Sequence, residues 1–162
     1  MSLNLIFINS LFGLKLTTVL GCGLIAGVFF AFSAFIMSAL ARLQPPQGIA
    51  AMQSINITVI SPLFMTAFFG TATACVFLAI SSLLKWQQPS SLYLFIGSLL
   101  YLVGTVGVTI AFNVPLNDAL AHVEPSSTNG MKVWTTYLTN WTFWNHVRTL
   151  AALTAAALLT LA

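Results

Sequence analysis

LTTVLGCGLIAGVFFAFSAFIMSALA, residues 16–41, runs for 26 positions between Lys15 and Arg42 without a charged side chain. A helix of about 20 residues, rising ~1.5 Å per residue, crosses the ~30 Å hydrocarbon core of a bilayer, so this run is long enough to span. Two further uncharged runs, 43–84 and 86–117, hold 42 and 32 residues. The last run, 149–162, holds 14 and reaches span length only if its helix begins upstream of Arg148. The gaps between charges thus predict one transmembrane domain over 1–162, with spans at about 15–37, 59–83, 92–112 and 141–161.

The whole chain of 162 residues carries five Lys or Arg and two Asp or Glu, and 59% of it is hydrophobic. Its mean hydropathy is +0.98. About a quarter of a soluble domain is charged, so these few charges cannot solvate a surface of this size. The composition is also too apolar for a disordered chain and lacks the basic clusters that nucleic-acid binding needs. Lipid is the expected solvent. The first ten residues contain no Lys or Arg and lead into no A-x-A-like site, so span 1 is expected to be retained. Cys22 and Cys75 fall inside spans and form no C-x-x-C pair, which reads as two buried small apolar residues.

Gly23, Gly27 and Ala31 form a small-xxx-small row in span 1, suited to close helix packing. Pro45-Pro46-Gln47-Gly48 breaks the chain, and 48–56 reads as an interfacial turn of helix. Lys85-Trp86 anchors the end of span 2. Asn113 to Asp118 looks like a helix stop followed by a new start at Pro115, giving a short amphipathic helix over 116–123 that Glu124-Pro125 ends. Ser126, Ser127 or Thr128 then caps a helix able to run from about Met131 to Leu161. The expected architecture is all-α: an integral membrane four-helix bundle with a short amphipathic helix in the long loop between spans 3 and 4. Both termini fall on one side. The Lys and Arg counts nearly tie, and placing the acidic loop outside puts the termini in the cytoplasm.

The last helix holds the chemistry. Trp141, Asn145 and Arg148 follow i, i+4, i+7 and share a face, with Tyr137 and Trp144 within a turn of it, whereas His146 lies about 200° from Arg148. With Ala162 at the far interface, Arg148 sits ~9 Å inside the hydrocarbon. Two readings compete there. In one, Arg148 snorkels to the headgroups or pairs with Asp118, and the tryptophans form an interfacial belt. In the other, Arg148, Asn145, Asn113 and Asn117 line a polar pocket at the membrane boundary. A fixed guanidinium with amide partners and an aromatic wall suits the oxyanion or enolate of a flat aromatic ligand. His122 and His146 are too few for a metal site or a bis-histidine haem, and no phosphate-binding or dinucleotide glycine pattern occurs.

The run Gly27-Val28-Phe29-Phe30-Ala31-Phe32-Ser33, the turn Asn113-Val114-Pro115-Leu116-Asn117 and Trp144-Asn145-His146-Val147-Arg148 resemble the anthrone oxygenase-like family, including its bacterial branch of unknown function. The resemblance covers Gly21 to Leu161. Its Pro-x-Asn and Trp-x-x-x-Asn-x-x-Arg patterns fall on Pro115 to Asn117 and on Trp141, Asn145 and Arg148; His146 is typical of the bacterial branch. The resemblance implies a bacterial inner-membrane oxygenase that converts anthrone-like phenols to quinones with O₂ and without metal or flavin. In that reading Arg148, Asn145 and Asn117 stabilise the enolate, His146 is the candidate base, and Asn113, Tyr137, Trp141 and Trp144 hold the ring. The alternative is a non-enzymatic membrane subunit or lipid- or quinone-binding module. It would form a homo-oligomer or join a larger complex through the Gly23, Gly27 and Ala31 row.

Overall fold

The computed structural model describes residues 3–162, with side chains from Leu11 onward. The first ten residues, on which the signal-peptide reading rests, lie outside the described side chains. Every element among the described residues is helical. α1 (Leu3–Ala31) passes through a π turn (Phe32–Ile36) into α2 (Met37–Ala41), and α3 (Pro45–Thr58) and α4 (Pro62–Leu84) follow. α5 (Ser91–Leu99) continues through two π segments (Leu100–Gly107 and Thr109–Asn113) into α6 (Val114–Ala121), and α7 (Thr128–Leu161) closes the chain. Three stretches are long and apolar enough to cross a membrane: Leu11–Ala41, Pro62–Leu84 and Ser91–Ala121. Leu11–Ala41 and Ser91–Ala121 enclose the expected first and third spans, and Pro62–Leu84 covers the second except for residues 59–61. α7 has 34 residues, but Asn140, Asn145, His146 and Arg148 interrupt its apolar run and it does not join that set.

Local chemistry sets the boundaries. Pro45 and Pro62 each occupy the first turn of a helix, where a missing N–H costs nothing. Ser61 Oγ accepts from the Phe64 N–H at 3.3 Å. Ser127 caps α7, its Oγ accepting from the Gly130 N–H at 2.9 Å, within the expected 126–128 window.

Leu20, Leu24, Phe30, Phe77, Ile80 and Leu153 are exposed apolar side chains, as expected of a surface solvated by lipid rather than water. α7 is the axis of the assembly and packs along α1, α5 and the segment Leu100–Gly107. One core gathers Cys22, Ile25, Phe68, Cys75, Tyr101 and Ala155. A second gathers Met37, Ile49, Met52, Leu120, Trp134 and Trp141.

Two expectations are corrected. A new α segment does begin at Val114 with Pro115 in its first turn, but the helix before it does not stop, and no separate amphipathic helix lies in a long loop. The helix from Ser91 runs unbroken to Ala121, and only residues 122–127 connect it to α7. A proline inside an α-helix lacks its N–H and clashes with the carbonyl four residues back. Here the π turn Thr109–Asn113 shifts the register just upstream, so Pro115 occupies the first turn of a new α segment.

The Gly23–Gly27 row does not pack within the chain either. Both glycines are exposed, and a Cβ on either would meet nothing within 4 Å. The glycines that admit α7 are Gly97 and Gly104. A Cβ on Gly104 would lie 2.6 Å from the Ala151 Cβ, and one on Gly97 3.0 Å from Leu159 Cγ. Gly104→Leu should therefore cost about 1–3 kcal/mol by overpacking and lower the melting temperature in detergent, while Gly27→Ala leaves it unchanged or higher; equal losses in the two variants would refute this packing.

Candidate functional site

Where the two cores meet, α7 turns Trp141, Asn145 and Arg148 inward, all buried. Arg148 is only 6% exposed, so it does not snorkel. Nor does it pair with Asp118, because both acids, Asp118 and Glu124, are exposed and Arg148 bonds only to neutral groups among the described residues. Its Nε donates to Asn145 Oδ1 at 3.0 Å and its Nη1 to Thr109 Oγ1 at 3.3 Å. Its guanidinium carbon sits 3.8 Å from the Phe29 ring centroid and 4.9 Å from that of Trp141, a cation held between two π faces.

Asn145 is the anchor behind this cation. Its Nδ2 donates to the Phe29 carbonyl at 2.8 Å and to Ser33 Oγ at 2.7 Å. That orients Oδ1 toward Arg148 and ties α7 to α1. Thr149 Oγ1 donates to the Asn145 carbonyl at 2.6 Å and lies 3.5 Å from Ser33 Oγ. Thr105 Oγ1 donates to the Arg148 carbonyl at 3.3 Å. Ser33, Thr105 and Thr109 all belong to π segments, whose widened turns are frequent at functional sites.

Beside Arg148 lies a cavity of about 260 Å³ walled by Phe29, Phe32, Phe64, Phe68, Met52 and Trp141. Its polar lining is Arg148, Thr109, Asn56 and Asn117. Among the described residues the hydrogen bonds of the Arg148 side chain are made by Nε and Nη1, and the residue lines this space. At the other polar edge Tyr137 Oη donates to Asn117 Oδ1 at 2.8 Å, and Asn56 Nδ2 donates to Tyr137 Oη at 3.5 Å. Tyr137 in turn stacks between Trp134 and Trp141, at 5.7 and 5.8 Å.

The residues singled out by sequence thus divide. Arg148, Asn117 and Trp141 line the cavity, with Asn145 and Tyr137 directly behind it. Asn113 is buried, but its Nδ2 donates to the Trp141 carbonyl at 3.2 Å and it forms no part of the cavity wall. Trp144 stacks on Phe112 at 3.6 Å, outside the cavity. His146 is exposed and borders a separate surface recess with Phe30, Ser33 and Leu150; a regular α7 keeps it on the face opposite Arg148.

Phe29, Ser33, Asn56 and Thr109 were not singled out as site residues. Ser33 and Thr109 were discernible only as hydroxyls within apolar helices, and Phe29 contributes partly through its carbonyl, which no side-chain pattern displays.

Membrane-length helices around an apolar cavity, with one buried cation facing it, define a helical membrane protein with an internal polar-tipped site. Residues 63–158 match the anthrone oxygenase family, and the chain belongs to that family. The match includes Thr109, Asn117, Trp141, Asn145 and Arg148, and stops short of the α1 and α3 residues Phe29, Ser33 and Asn56. No curated protein and no solved structure matches the chain.

Because Arg148 is held by neutral partners, Arg148→Leu and Asp118→Asn should have additive effects on stability within ~0.5 kcal/mol. Asn145→Ala, which leaves Arg148 Nε unpaired, should cost about 1–3 kcal/mol. Thermal unfolding of the single and double variants checks both, and strong coupling between 118 and 148 would contradict the geometry.

Proposed function

We propose that the protein oxidises anthrone-like or related polycyclic phenolic substrates with O₂ in the cavity beside Arg148, without metal or flavin. The observation that carries this reading is a buried guanidinium with no acidic partner among the described residues, fixed by Asn145 and Thr109 and lining an aromatic-walled space. Such a group stabilises negative charge as it develops on a substrate oxygen. An anthrone methylene is acidic because its carbanion delocalises onto the ring oxygens. Loss of that proton gives an electron-rich anion that transfers an electron to O₂. Recombination forms a C–O bond, and protonation gives a hydroperoxide. Breaking its O–O bond and the remaining C–H bond releases water and leaves the carbonyl: R₂CH₂ + O₂ → R₂C=O + H₂O.

His146 was the candidate base from sequence, but it lies on the outer face of α7. The substrate's own phenolate or a water at the Asn56–Tyr137–Asn117 edge takes the proton instead. Trp141 supports the ring from the wall, with Tyr137 stacked behind it. Asn145 acts through Arg148 as a positioning residue.

In this reading residues 141–161 of α7 form a fourth crossing of what is then a four-helix bundle. Asn145 and Arg148 face protein rather than lipid, the arrangement in which intramembrane polar groups are tolerated. The termini share the cytoplasmic side of a bacterial inner membrane. Ser90→Cys and Ser126→Cys should then label from opposite sides of the membrane, and labelling of both from one side would sink the four-span arrangement.

The second reading, a small binding or assembly subunit, draws on the outward-facing Gly23 and Gly27, which leave room for another helix. It expects Gly27→Leu to abolish assembly and Arg148→Lys to be nearly silent.

Purified protein should accelerate O₂ uptake with an anthrone above its spontaneous rate. Arg148→Gln should lower kcat by about 10²–10³-fold, the usual loss for one oxyanion donor, and His146→Ala should leave most of the rate. A wild type no faster than spontaneous oxidation across several anthrones and quinols would end the oxygenase reading in favour of the subunit.

A further inference from the structure

The cavity opens sideways. Four of its lining residues, Ile60, Phe69, Ile110 and Val114, are also exposed on the outer surface, and all four are apolar. They form two lips. One is the break between α3 and α4 with the first two turns of α4; the other is the π turn Thr109–Asn113 and the start of α6. α4 packs along Ser91–Gly107, but that packing does not continue onto Thr109–Ala121, so the two helices separate toward the Pro62 end. α4 has 23 residues, about 34 Å at ~1.5 Å each, which puts Pro62 and Leu84 at the two interfaces. Phe69 is then ~10 Å below the Pro62 interface. The mouth therefore spans the depth at which a membrane-dissolved amphiphile keeps its polar group at the interface and its body in hydrocarbon.

The interior is matched to such a molecule. A water-facing entrance would carry polar groups at its rim. Here the four exposed lining residues are apolar, while among the polar ones Arg148 is buried and Thr109, Asn56 and Asn117 are half-buried. Arg148 has no acidic partner among the described residues, which leaves its charge open to an anionic ligand. The walls are rings: Phe29, Phe32, Phe64, Phe68 and Trp141.

We propose that this gap is a lateral portal through which the site takes its ligand directly from the bilayer, and that the ligand is a flat aromatic amphiphile bearing one acidic oxygen, bound as the anion. The proposal rests on the same cavity as the oxygenase reading but not on its redox step.

Anthracene-9-carboxylate, which has no oxidisable methylene, is a suitable probe in phosphatidylcholine vesicles carrying the full chain, with energy transfer from tryptophan as the signal. Wild type should bind it about tenfold tighter than anthracene-9-methanol, the margin of a charge-assisted bond, and Arg148→Gln should erase that preference. Ile60→Trp with Ile110→Trp should slow both association and dissociation about tenfold or more, with little change in Kd, as a narrowed path requires. If the double variant loses helicity, Ile110→Phe alone should still slow both rates. Unchanged rates in a folded variant would place the entrance elsewhere, and equal binding of acid and alcohol would remove the anion site. Displacement by oleate as effective as by unlabelled aromatic acid would make the occupant a lipid and overturn the aromatic class. Probe entry together with no O₂ uptake above the spontaneous rate on a separately supplied anthrone defeats the oxygenase reading alone; O₂ uptake on the anthrone with unaltered probe entry rates in the portal variant defeats the portal alone.

Discussion

An arginine buried in a membrane-type fold without an acidic partner is the constraint around which the rest of this structure is arranged. Burying a guanidinium at membrane depth costs about 3 kcal/mol by insertion scales, and more without water or counter-ions. Arg148 meets that cost with neutral groups: the Asn145 amide, the Thr109 hydroxyl and the faces of Phe29 and Trp141. Each of these must itself be held. Asn145 is fixed by the Phe29 carbonyl and Ser33, so the cation is secured only when α1, α7 and the helix carrying Thr109 are docked together. The same shell that stabilises the charge also fixes its direction, toward the cavity.

The π turns are the backbone counterpart of that shell. In lipid a helix must satisfy its own N–H and C=O groups, and an extra residue in a turn is tolerated only where packing compensates. Three such segments occur, and they carry Ser33, Thr105, Thr109 and Asn113. The same device lets Pro115 sit in a continuous helix and so keeps Asn117 level with Tyr137 on α7. Irregular backbone is thus concentrated around Arg148, while the opposite end of the molecule, around Cys75, Leu78 and Leu159, is regular α-helix packed without polar contacts between these residues.

The distribution of polarity around the cavity bears on its chemistry. Acidic side chains are confined to the outer surface, so negative charge formed on a ligand faces a cation and amides rather than repulsion. Aromatic walls exclude bulk water, which strengthens the electrostatic grip of Arg148 on an oxyanion. Oxygen, like apolar rings, partitions into hydrocarbon. An apolar rim facing lipid and a polar tip inside therefore suit one another whether the bound molecule is oxidised or merely held.

Much of this was legible in the sequence, because lipid is an undemanding reader of order: it requires only long uncharged runs, and charge spacing located three membrane-length helices, although the third runs on to Ala121, well past its expected end at 112. Helical periodicity likewise grouped Trp141, Asn145 and Arg148 on one face and set His146 apart, and the cap candidates Ser126, Ser127 and Thr128 bracketed the start of α7, where Ser127 is the cap. What periodicity along one helix cannot express is which neighbour each face meets. The partners of Asn145 are 112 and 116 residues away on α1, and the rings flanking Arg148 come from two different helices. Trp144 and Asn113 lie close to the cavity in sequence terms but were turned away from it by Phe112 and by the Trp141 carbonyl. Gly23 and Gly27, alike by composition to Gly97 and Gly104, proved to face outward. Sequence alone determined that the chain is a set of membrane-length helices with one misplaced arginine. Tertiary structure decided what surrounds that arginine, because only the docking of α1 and of the helix carrying Thr109 against α7 shows which side chains hold its guanidinium and which cavity it lines.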